Sequence, residues 1–113
     1  MRELEQIVKD FVLEASEDNV GLWRIVNAVR HEFGEADEAR VQAISLKVVE
    51  ELLNHGLEVV DYYQGRGWAR WPDQDAQAIL ARIDREWNVL GREPNLGDIC
   101  WFSLPKREKK GAG

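Results

Sequence analysis

The chain predicts an α+β domain of winged-helix type, with three helices, a β-hairpin, a fourth helix and a short C-terminal strand. Two observations lead there. Apolar residues recur at helical spacing between Leu4 and Leu53 and again between Ala76 and Leu90. Between those blocks, Leu57–Tyr63 and Trp68–Trp71 are rich in β-branched and aromatic residues and flank Gln64-Gly65-Arg66-Gly67. Paired glycines supply the positive φ that a tight hairpin turn needs. At 113 residues the chain is one ordinary domain, long enough to bury a core without disulfides.

The first helix places Leu4, Ile7, Val8, Phe11 and Ala15 on one stripe. Ser16-Glu17-Asp18-Asn19 breaks that pattern and offers a side-chain N-cap for the second helix. There Leu22, Ile25, Val26, Val29 and Phe33 form the inward stripe, and Gly34 stops the helix. Asp37 is placed to cap the third helix, whose inward positions are Val41, Ile44, Val48, Val49, Leu52 and Leu53, ending at Gly56. After the hairpin, Pro72-Asp73 restarts a helix, with Asp73 as the expected cap and Ala76, Ile79, Leu80, Ile83, Trp87 and Leu90 inward; Gly91 ends it. Pro94–Asp98 reads as a turn, and Ile99–Leu104 as a last strand that pairs with the hairpin, since two strands alone are marginal.

Residues 1–105 form the domain and 106–113 a flexible basic tail. The net charge of −6 hides that division. The tail holds four of the 15 basic and one of the 21 acidic side chains, leaving 11 against 20, or −9, on residues 1–105. An acidic body disfavours non-specific nucleic-acid contact and favours a basic partner. The N-terminus has no apolar signal core and no run approaches bilayer-spanning length, so the expectation is a cytoplasmic protein that does not engage membranes.

No reactive constellation stands out. Cys100, within Ile99-Cys100-Trp101-Phe102, reads as a buried inert thiol, and one cysteine forms no internal disulfide. His31 and His55 lie 24 positions apart, and there is no CxxC or HExxH spacing, so no metal or other cofactor is expected. His55 beside Gly56 suits a helix C-terminus, where the dipole favours a cation. Gly65-Arg66-Gly67 is a hairpin turn and no phosphate loop, and Glu50-Glu51 reads as a solvated helix face. A non-enzymatic role is expected.

Two binding readings remain. In the DNA-binding alternative, a winged-helix regulator uses helix 37–55, with Gln42 and Ser45 reading bases, and Arg66 at the hairpin tip. In the protein-binding reading, Trp23, Tyr63, Arg66, Trp68 and Arg70 form the contact surface, because aromatics and arginines dominate interfaces; the acidic face near Glu50 and Glu51 is a second candidate.

Gly67-Trp68-Ala69-Arg70-Trp71-Pro72, Ile83-Asp84-Arg85-Glu86-Trp87 and the run Leu90–Phe102 resemble small uncharacterised bacterial proteins, chiefly actinobacterial, over half to two thirds of the chain. Comparable small acidic proteins include immunity proteins that neutralise a toxin encoded beside them. The resemblance implies a protein partner and no catalytic residues.

Overall fold

The computed structural model describes residues 2–34 and 37–105; the basic tail 106–113 lies outside the described residues. Four helices, α1 (Arg2–Ala15), α2 (Leu22–Phe33), α3 (Glu38–Asn54) and α4 (Ala76–Leu90), accompany four strands, β1 (Val20–Gly21), β2 (Glu58–Tyr63), β3 (Gly67–Arg70) and β4 (Trp101–Ser103). The α+β class and the expected order of helices, hairpin, helix and strand hold, with β1 as an addition. All pairings are antiparallel, and the strands lie in the order β1-β4-β2-β3.

The predicted stripes become the core. Ile7, Val8, Phe11 and Ala15 of α1 and Leu22, Ile25, Val26 and Val29 of α2 are buried, as are Val41, Val48, Val49 and Leu52 of α3. α3 is the central helix and packs against α1, α2 and α4. Asp37 caps it as expected, accepting the Ala39 N–H at 3.0 Å. One sheet row completes the core. Val20 pairs with Phe102 and Phe102 with Val59, and all three are sealed from solvent. Burying a side chain such as Phe102 contributes about 1.5–3 kcal/mol.

Two caps differ from expectation. Asn19 does not cap α2, because the chain first passes through β1. Gly21 occupies the cap position without a side-chain bond, and the Leu22 N–H donates to the Cys100 carbonyl at 3.1 Å. The sheet therefore satisfies a donor that a side chain would otherwise serve. Asp75, rather than Asp73, caps α4 by accepting the Ala78 N–H at 3.1 Å, while Asp73 accepts the Asp75 N–H at 3.0 Å.

That two-residue delay frees Gln74 to reach back to the sheet. Its Oε1 accepts the Val59 N–H at 3.0 Å, and its Nε2 donates to the carbonyls of Val59 and Trp71 at 2.9 Å each. Trp71 N–H also donates to the Val59 carbonyl at 3.0 Å, so the side-chain amide supplies the return bond that the Trp71 carbonyl does not make, and the ladder closes where the backbone turns away.

The loop entering β4 is tightly held. The Asp98 carboxylate accepts the Asn95 N–H and Arg92 Nη1, each at 2.8 Å, and these bonds lower its pKa, the backbone donor contributing most. Cys100 N–H then donates to the Asp98 carbonyl at 2.8 Å, across Ile99 at φ 67°. A three-residue ring with positive φ at its centre is the strained form of γ-turn, uncommon for a β-branched residue. It delivers the chain into Trp101.

Candidate binding face

Side chains alternate across the sheet, so the row opposite Val20, Phe102 and Val59 faces away from the helices. That outer row runs from Gly21 of β1 through Trp101 of β4 and Val60 of β2 to Arg70 of β3, with Tyr62 opposite Trp68 one step along the hairpin. Tyr62 and Trp68 are about half exposed, at 53% and 46%. Their rings meet edge to face with centroids 5.0 Å apart, and Trp68 meets Trp101 likewise at 5.3 Å. Each such pair contributes about 0.5–1.5 kcal/mol beyond area burial. The cluster is therefore held in a defined shape while its surface stays wet.

Trp23 joins it from the start of α2. A Cβ placed on Gly21 would lie 2.6 Å from Trp23 Nε1 and 3.2 Å from Trp101 Cζ3, so the indole of Trp23 lies over the bare glycine backbone beside Trp101. Gly21 is at φ −79°, a conformation open to any residue, and so its role here is space. Trp23 is half-buried, and its Nε1 has no hydrogen-bond partner among the described residues.

Arg70 lies on the same face and is already engaged. Its Nε and Nη2 grip Glu58 Oε1 and Oε2 at 2.7 and 2.9 Å, which raises the guanidinium pKa. The pair presents a neutral, oriented fork at the margin of the aromatic cluster.

The other expected residues fall elsewhere. Tyr63 points to the opposite side of the hairpin from Trp68, because it stands one residue from Tyr62. Its hydroxyl donates to Asp61 Oδ2 at 3.1 Å, and that bond pushes the phenol pKa up. Arg66 stands exposed in the turn. Glu50 pairs with Lys47 at 3.2 Å, and Glu51 lines a cavity of about 430 Å³ between α1 and α3, with Leu4, Glu5, Val8, Lys9 and His55. No sheet residue lines that cavity, so the acidic candidates belong to a different surface from Trp68. Neither Tyr62 nor Trp101 was among the residues expected on the protein-binding surface.

The remaining reactive groups are subdued. Cys100 is fully buried, and burial pushes its thiol well above the ordinary value, so it stays protonated. Arg82 stacks on Trp71 at 3.7 Å and bonds Glu86 at 2.7 Å. Among the described residues no cluster of three or more His, Cys, Asp or Glu side chains is placed to hold a metal ion, and no helix is long and apolar enough to cross a membrane.

Two residues assigned to base reading face inward. Ser45 is sealed in the core, and Gln42 Nε2 donates to Asp84 Oδ1 at 2.8 Å and Asn88 Oδ1 at 3.1 Å on α4. No family model matches the chain, and no curated protein or solved structure matches it significantly.

Proposed function

We propose that the protein is a non-enzymatic protein-binding module whose anchor is the outer sheet face formed by Tyr62, Trp68, Trp101 and Trp23. One observation carries the reading. A preorganised aromatic cluster stands half exposed on a sheet face opposite the core-facing row. Rigid aromatics displayed to solvent supply large contact area at low entropic cost, which is why they recur as interface hot spots. Arg70 and its Glu58 partner provide the polar margin, and Arg66 extends the rim at the turn.

The most concrete version is toxin neutralisation by an immunity protein. It draws on the resemblance to small bacterial proteins and on the −9 balance of residues 1–105. An acidic body speeds encounter with a basic partner, while the aromatic face holds it after contact. The DNA-binding regulator is less favoured, because Ser45 and Gln42 are turned away from solvent or engaged on α4.

The test is capture of tagged protein from its native lysate after nuclease treatment, beside a Trp68→Ala variant checked for folding. A stoichiometric protein retained by the wild type at moderate salt and lost by the variant supports the reading. Toxicity of that protein expressed alone supports the immunity version. Retention of specific DNA, with steep loss as salt rises, would instead indicate the regulator.

A further inference from the structure

β3 is an edge strand, and its hydrogen-bond phase is fixed by the register. Trp71 N–H donates to the Val59 carbonyl at 3.0 Å, which sets the phase: the backbone polar groups of Trp71 and Ala69 point towards β2, with Gln74 taking the return bond from the Val59 N–H. The N–H and C=O groups of Trp68 and Arg70 therefore point away from β2, towards solvent. We propose that this edge pairs with the same edge of a second copy, antiparallel and two-fold symmetric about Ala69.

The strand is self-complementary in that register. Trp68 stands opposite Arg70 of the second copy, and Arg70 opposite its Trp68, so the outward groups of both residues form four backbone hydrogen bonds. The two cross-strand pairs place a guanidinium against an indole on the outer face. Ala69 meets its own copy on the axis, on the other face, where an exposed small side chain leaves room. Charge favours the same place. Residues 57–72 carry Glu58 and Asp61 against Arg66 and Arg70, a balance of zero in a domain at −9. Two copies meet there without the like-charge repulsion that the rest of the surface imposes. Pro72 follows the strand closely and limits the ladder, so the pairing closes as a dimer. A four-residue strand buries less than the roughly 1,200 Å² of a standard interface, so the association is weak and depends on concentration.

Mass measured by sedimentation equilibrium should shift from 13.0 kDa towards twice that value as concentration rises. Over the same series the amides of Trp68 and Arg70 should slow in hydrogen exchange, while that of Ala69, already bonded to β2, should not change. Ala69→Lys and Ala69→Glu each place like charges face to face on the axis and should lose the shift; an equal mixture of the two should recover it. If Ala69→Glu, opposite Asp61, weakens the hairpin, the exchange pattern of the unaltered chain decides alone. A wild type that stays at 13.0 kDa up to about 1 mM overturns the proposal. So does a dimer in which Trp68 and Arg70 amides remain unprotected, or one that both charged variants retain.

Discussion

Replacing Gln74 should weaken the protein far more than a loop residue ordinarily would. Its side chain makes three hydrogen bonds, one to the Val59 N–H and two to the carbonyls of Val59 and Trp71. Val59 is fully buried, so after Gln74→Ala its N–H has no water to replace the lost acceptor. A stranded buried donor costs about 1–3 kcal/mol, and the two lost donations add about 0.5–1.5 kcal/mol each when not replaced by water. Allowing water to reach the Trp71 carbonyl, the expected loss is about 2–3 kcal/mol. For a chain of this length that corresponds to a fall in Tm of about 8–12 °C. Urea and thermal unfolding, followed by circular dichroism and by tryptophan fluorescence, would measure it. Gln74→Met keeps the length of the side chain without its amide and should lose nearly as much. A loss below about 0.5 kcal/mol in both variants, or full recovery in the methionine variant, would refute the view that this amide closes the sheet.

Further predictions follow from the loop, the glycine and the thiol. At Ile99, held at φ 67°, glycine should be more stable than alanine by about 1 kcal/mol, reversing the usual order, because only alanine keeps the strain; chemical denaturation of the two variants measures this, and an alanine variant at least as stable contradicts it. Gly21→Ala should cost about 1–3 kcal/mol by forcing the indole of Trp23 aside, and should alter tryptophan emission, since a Cβ there would sit 2.6–2.7 Å from the ring. Cys100 should resist thiol reagents in the folded protein and react only as the chain opens. Because burial raises its pKa above the ordinary 9.0, its contribution is fully present below that value and is lost as pH climbs past it. Cys100→Ala should therefore show a shallower alkaline loss of stability than the wild type.

Much of the fold was legible because helical periodicity reports burial directly. Four stripes, the Asp37 cap and the hairpin turn all appear where the sequence placed them. What escaped was set by long-range pairing. Val20-Gly21 is too short to show alternation, and it is a strand only because β4 arrives beside it. Asp73 and Asp75 are both plausible caps locally, and the reach of Gln74 to Val59 decides between them.

The site divided along the same line. Trp68, expected on the contact surface, is about half exposed, whereas Trp71 three residues on is buried. The parity of the tyrosines could not be read, because Val59 and Val60 are both buried and give no alternation to count from. Tyr62 therefore joins Trp68, while Tyr63 turns to Asp61. Trp101 joins the face through the β4–β2 register, and the strained turn at Ile99 leaves no trace in composition.

The most direct test of the aromatic face is hydroxyl-radical footprinting of the purified complex with the captured partner protein. Tyr62 and Trp68 should lose much of their reactivity on binding, whereas Leu13 and Val89, exposed on α1 and α4, should keep theirs. Unchanged oxidation at Tyr62 and Trp68, with protection appearing around Glu51 and His55 or around Val89, would contradict the assignment and move the interface to the helical surface.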